Sequence, residues 1–286
     1  MAVEPIRNPV EWSWDQLKHT GTALASAGRA LRAHEAPPRV RRIEVADLKD
    51  VLRRGLDDFG AYRSDVIFLC IVYPIAGLLL ARFAFGQNLL PLLFPLMSGF
   101  ALIGPIAAVG LYEMSRRREE GIDISWADAF GVIRAPAFGA ILVLGLILFT
   151  IFLVWMTAAS VIYNVTLGPE PPASMAAFIR DVLSTDAGWV MIVAGCGVGF
   201  LFALLVLAIS VVSFPLLLDR DVGLYTAMAT SVRACMANPV PMAAWGLIVA
   251  GGLVLGSIPI LLGLIIVMPV LGHATWHLYR RVVALR

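Results

Sequence analysis

The chain has 286 residues, 59% of them hydrophobic, with a mean hydropathy of +0.84. Water-soluble domains run at about 45–50% apolar, so composition excludes a soluble globular enzyme and predicts an integral membrane protein. The formal net charge of +2 conceals an asymmetry, because eleven of the 22 lysines and arginines precede residue 66, ahead of any apolar run.

Residues 1–40 read as a flexible N-terminal cytoplasmic tail, with Trp12, Trp14, Leu17, Leu24 and Leu31 at loose helical spacing and Gly21 and Gly28 interrupting it. The opening residues contain no apolar core of a cleavable signal, so the first span is expected to direct insertion. In 41–60 the spacing is decisive: Leu48, Val51, Leu52, Leu56 and Phe59 share one helical face, and Asp47, Lys49, Asp50, Arg53, Arg54 and Asp57 cover the rest. This predicts an amphipathic helix in which Gly55 costs about 1 kcal/mol relative to alanine, to be offset by tertiary or membrane contact.

From Val66 onward the chain is apolar almost to its end. A crossing needs about 20 residues, which yields six spans at about 66–85, 89–112, 138–163, 189–217, 242–257 and 259–279. They pair into three hairpins within a 41–286 transmembrane domain. The polar Gly86, Gln87 and Asn88 turn the first hairpin, the proline-bearing 164–188 loop joins the second, and Ser257, Ile258 and Pro259 break the last block. With both termini in the cytoplasm, 20 of the 22 basic residues fall on that side, and only Arg82 and Arg180 lie towards the other.

The plan repeats. PIAAVGLYEMSRR at 105–117 and PVLGHATWHLYRR at 269–281 agree in length, proline, aromatic and double arginine, and FPLLLDRDVG at 214–223 is a looser third copy. Amphipathic segments precede the second and third hairpins as well, one carried by Trp126, Ala129, Phe130 and Ile133, the other by Tyr225, Met228, Val232 and Cys235. Each unit is thus a surface helix followed by a hairpin, and the glycines of successive hairpins (Gly99, Gly104 and Gly110; Gly195, Gly197 and Gly199; Gly251, Gly252 and Gly256) are expected to let the helices pack closely.

These residues carry a resemblance. RRIEVADLKDVLRRGLDDFGAYRSDVIF, then PLMSGFALIGPIAAVGLYEMSRRREEG, then SWADAF is similar to the bacterial family of predicted integral membrane proteins called domain of unknown function 2189. The similarity is read from Arg41 to the C-terminus and leaves the first 40 residues outside. It implies an integral inner-membrane protein, and it brings no activity, cofactor or catalytic residue with it.

Candidate chemistry is sparse. His273 and His277 share a face at i, i+4, a spacing that suits metal or haem ligation; against it stands the reading as interfacial polar residues near the cytoplasmic headgroups. Arg116, Arg117 and Arg118 are the candidates for lipid headgroup contact, at about 1 kcal/mol each, and serve equally as the topology signal. Arg82 sits close enough to the outer interface to snorkel. Tyr112, Trp126, Trp155, Tyr163, Trp189 and Trp276 read as interface anchors. The cysteines Cys70, Cys196 and Cys235 form no metal spacing, and no P-loop, HExxH or GxSxG is present.

The expected fold is all-α, with six transmembrane helices in three hairpins, each preceded by a cytoplasmic amphipathic helix. No cofactor and no catalytic residue is expected. Partners are membrane lipids and a membrane-protein partner or second copy of the chain, not nucleic acid. The leading function is a non-enzymatic scaffold, accessory subunit or envelope-maintenance factor of the bacterial inner membrane. A transporter or channel for a small or lipid-like solute, lined by Ser98, Thr150, Thr157 or Ser210, is the alternative, and a haem- or metal-binding redox component the second.

Overall fold

A computed structural model describes residues 38–61, 67, 70–86, 90–102, 104–122, 132–133 and 135–284. The tail at 1–37, the turn at Gln87 and Asn88, and the segment holding Trp126, Ala129, Phe130 and Arg134 lie outside these. Among the described residues every regular element is a helix, and the one isolated bridge joins Val40 to Val283 in antiparallel sense.

The predicted amphipathic helix is α1 (Asp47–Ala61). The Asp47 carboxylate accepts the Glu44 backbone N–H at 2.8 Å and closes its start. Its buried stripe is Leu48, Val51, Gly55 and Asp58, with Leu52 and Phe59 at the edges, while Leu56 turns outward. That stripe lies along the last helix. A Cβ on Gly55 would stand 2.7 Å from Ala274 Cβ and 2.8 Å from the Val270 carbonyl, so the glycine is what lets the two backbones approach.

The described residues of the first two predicted spans form the next helices. α2 (Val72–Gly86) carries an exposed Arg82, and a 3₁₀ turn at Leu90–Leu92 leads into α3 (Leu93–Leu102), α4 (Gly104–Ala107) and α5 (Val109–Glu119). Pro91, Pro95 and Pro105 remove backbone donors along this stretch. α6 (Phe138–Thr166) and α8 (Asp186–Ser210) flank the short α7 (Met175–Ser184); Ser174 caps α7 by accepting from the Ala177 N–H, and Thr185 caps α8 by accepting from Gly188. After a tight turn α9 (Ser213–Asp219) continues nearly in line with α8, followed by α10 (Leu224–Ala237), α11 (Pro239–Ser257) and α12 (Leu264–Val282).

Three stretches among the described residues are long and apolar enough to cross a membrane: Phe138–Thr166, Asp186–Asp219 and Pro239–Ser257. They correspond to the predicted spans at 138–163, 189–217 and 242–257. α11 starts at Pro239 because prolines are tolerated in a first turn whose N–H groups have no helical partner. The last helix starts at Leu264 rather than 259, because the break after Ser257 is a full turn in which Ile260 and Leu261 adopt left-handed φ of 51° and 66°. Gly256 and Gly263 meet across it, a Cβ on Gly263 falling 2.8 Å from Gly256 Cα.

Several packing expectations are corrected. Gly99 and Gly199 do receive aromatic side chains, from Phe152 and Trp155 and from Trp155, and Gly252 receives Val267 and Leu271, but Gly195, Gly197 and Gly251 face open space. On α10 the predicted apolar face divides, with Met228, Val232 and Cys235 half-buried against the core and Tyr225 turned outward. Tyr225 is 79% exposed, whereas Ala227, Thr230, Ser231 and Ala234 are buried, small residues that permit close helix approach. Tyr112, Trp155 and Trp276 are buried rather than interfacial; the Trp155 Nε1–H donates to the Pro95 carbonyl at 3.0 Å, and of the proposed anchors among the described residues Trp189 is the exposed one.

Candidate functional site: a buried polar knot

Three helices place five polar side chains at one end of the bundle. α1 contributes Asp58, one turn beyond Gly55. α5 contributes Ser115 and Arg118 at i, i+3, and α12 contributes His273 and His277 at i, i+4. The close approach at Gly55 and Ala274 brings α1 near enough for Asp58 to reach both other helices.

Asp58 is the centre, 5% exposed. Its Oδ2 accepts from Ser115 Oγ–H at 2.6 Å and lies 2.8 Å from His277 Nε2, while its Oδ1 accepts from Arg118 Nη1 at 2.6 Å. Burial by itself pushes the carboxyl towards the neutral form. The hydrogen bonds from His277 and Ser115 and the nearby imidazoles outweigh that and hold it below its ordinary value. The ionised carboxylate fixes the other protons: Ser115 gives its one proton to Asp58, so His273 Nδ1–H donates to Ser115 Oγ at 2.8 Å. His273 Nε2 has no partner of hydrogen-bond geometry, although the Leu111 carbonyl acts on the ring electrostatically.

The residue types invite comparison with a serine hydrolase, and the wiring refuses it. In a nucleophilic triad the serine proton goes to an imidazole and the imidazole is oriented by the carboxylate. Here the serine proton goes to the carboxylate. Ser115 is 1% exposed and His273 is 0% exposed, so the hydroxyl has no approach for a substrate. The arrangement binds helices together.

A second layer surrounds the knot. Glu113 is chelated by Arg116 (2.8 Å) and Arg117 (2.7 Å), and Arg116 also reaches Glu120 at 2.8 Å. Burial opposes the Glu113 charge, but the two guanidiniums prevail and lower its pKa, and Glu113 in turn raises that of Arg116. Glu119 lies 3.0 Å from Arg280 Nε, off the line of a hydrogen bond, and accepts from Trp276 Nε1 at 3.3 Å. The Tyr279 hydroxyl donates to Asp219 at 2.5 Å, joining α12 to α9, and Arg281 pairs with Asp47 at 3.0 Å, joining it to α1.

The candidate residues are therefore placed as follows. His273 and His277 come together, buried inside the knot, because α1 covers them. Arg116, Arg117 and Arg118 are each paired with a carboxylate. Among the described residues no set of three His, Cys, Asp or Glu side chains could hold a metal ion. Sequence reasoning missed Asp58, Ser115 and Asn238. For Asp58 a signal existed, since it lies seven residues after Val51 and ten after Leu48 and so falls on the buried stripe.

One more polar clamp lies beside α11. Asn238, 2% exposed, accepts from the Ile43 N–H at 2.7 Å and donates to the Arg41 carbonyl at 3.0 Å. Together with the bonds Arg41 N–H to Val282 (2.7 Å) and Ala284 N–H to Arg39 (3.0 Å), it pins the segment entering α1 against the end of α12.

Residues 93–219 match the family described as predicted integral membrane protein (DUF2189). No curated protein and no solved structure matches the chain. The DUF2189 match is narrower than the resemblance read from Arg41 onward. It takes in α3 to α9 with Ser115 and Arg118 of the knot, and it leaves out Asp58, His273 and His277.

Proposed function

We propose that this DUF2189 protein is a non-enzymatic, multi-pass protein of the bacterial inner membrane that acts as a scaffold or accessory subunit through its cytoplasmic end. The observation that carries this reading is the Asp58 knot. The serine, histidines and carboxylate that resemble chemistry are buried and bonded to one another across α1, α5 and α12, as befits a rigid platform.

The finer architecture is part of the proposal. Six spans in three hairpins, with both termini cytoplasmic, place the knot, the arginine–glutamate layer and α1 on the positively charged inner side. The packing of α5, α9 and α12, the three segments read as repeated span ends, against one another supports the triplicated plan.

The transporter reading loses its lining. Thr150 and Thr157 hydroxyls are exposed and bond back to the carbonyls of Leu146 and Leu153, Ser210 bonds to Val206, and Ser98 to Pro95, so each serves its own helix.

The scaffold reading is tested by in-cell cross-linking and native-membrane purification of the tagged chain, alongside a 41–60 deletion. A defined protein partner lost on deletion is the expected result. A monomer with no cross-linked partner, whose cellular effect survives the deletion, overturns it.

A further inference from the structure

We infer that Arg39, Arg41 and Arg42, together with Met236 and Val240, form a binding surface for anionic phospholipid headgroups at the entrance of α11. The inference deepens the proposed membrane reading and rests on α11 being a span.

Depth comes first. α11 is apolar and long enough to cross, and it begins at Pro239, so the residues just before it lie at headgroup level. Asn238 occupies that position, and its side chain holds the backbone of Arg41 and Ile43. The clamp therefore fixes the 39–43 segment at the same depth, with the Arg39, Arg41 and Arg42 side chains exposed.

Charge comes second. Among the described residues these three arginines have no carboxylate partner, in contrast to Arg116, Arg117 and Arg118, which pair with Glu113, Glu120 and Asp58. Basic side chains at headgroup depth attract anionic lipid. Arg39, Arg41 and Arg42 thereby join 116–118 as headgroup candidates.

Apolar surface comes third. Flanking Asn238 on either side, Met236 is 76% exposed and Val240 67% exposed, with Tyr225 outward on the same helix as Met236. An apolar foot beside a basic ledge is the composition of an interfacial membrane contact. An acidic protein segment would be recognised by the ledge but leaves the foot without a function.

The test uses the purified full chain in neutral detergent, titrated with phosphatidylglycerol or phosphatidylcholine and read by native mass spectrometry. The wild type is expected to retain phosphatidylglycerol in preference. The variant R39Q/R41Q/R42Q is expected to lose about ten-fold or more of that preference, at up to about five-fold per arginine. K49Q/R53Q on the outer face of α1 should keep it, and M236S/V240S should weaken both lipids alike. No preference in the wild type, an unchanged preference in the triple variant, or an equal loss in K49Q/R53Q overturns the inference. Aqueous maleimide labelling of Leu247→Cys and Val254→Cys in a cysteine-free chain in liposomes separates the two failures. Protected cysteines with no lipid preference reject the headgroup surface alone; labelled cysteines reject the span and the surface with it.

Discussion

Asp58 Oδ2 lies 2.8 Å from His277 Nε2, although the two residues are 219 positions apart in the chain. The contact ties the helix before the first apolar run to the end of the last one. Among the described residues the first and last helices thus close the fold, through polar as well as apolar contacts.

Removing the centre of the knot should therefore cost more than any neighbouring change. Asp58→Asn removes the charge that Arg118 faces and weakens two hydrogen bonds in a buried site, a loss of about 2 kcal/mol. Thermal unfolding in detergent should show a lowered midpoint, and proteolysis should reach α1 first. A midpoint equal to wild type would mean that α1 is held by apolar contact alone.

Gly55→Ala tests the approach that makes the knot possible. The added methyl meets Ala274 and the Val270 carbonyl well inside contact distance, so the gain in helix propensity is outweighed by overpacking of about 1–3 kcal/mol. A cross-link between cysteines on α1 and α12 should form more slowly in this variant. Faster or unchanged cross-linking, with raised stability, would contradict the geometry.

The knot also has a pH signature. Asp58 has a lowered pKa in the folded chain, so its contribution is complete above the unfolded value of 3.8 and is lost as pH falls below it towards the folded value. Hydrogen exchange of the α1 amides, corrected for intrinsic rates, should speed up on acidification through the carboxylate range. Asp58→Asn should abolish that acid-side change in α1.

Asn238→Ala should release the segment that leads into α1. It removes the acceptor for Ile43 and the donor to Arg41 in a buried position, a loss of about 1–2 kcal/mol. Limited trypsin digestion at Arg39, Arg41 and Arg42 should quicken while cleavage at Arg180 keeps its rate. Equal acceleration at both places would indicate global rather than local loosening.

The legibility of this chain differs by element. The stripe Leu48, Val51 and Leu52 announced α1 correctly, because a helical period is a local property that neighbouring residues display together. On α10 the stripe through Tyr225 divides: Met228, Val232 and Cys235 lie half-buried against the core, while Tyr225 turns outward. In lipid the outward side of a helix is as apolar as its inward side, and the small Ala227 and Ala234 decide which side packs.

By itself the sequence determined the class of the protein, through composition, and the helical nature of its segments, through period and proline placement. It also marked the break after Ser257. Only the tertiary structure decided what the polar residues do: that His273 and His277 face Asp58, that Arg116, Arg117 and Arg118 are neutralised, and that Asn238 grips the chain near Arg41. The physical reason is range. Hydropathy and helix period act over a few residues, whereas a hydrogen bond acts only between atoms that the fold has already brought within about 3 Å.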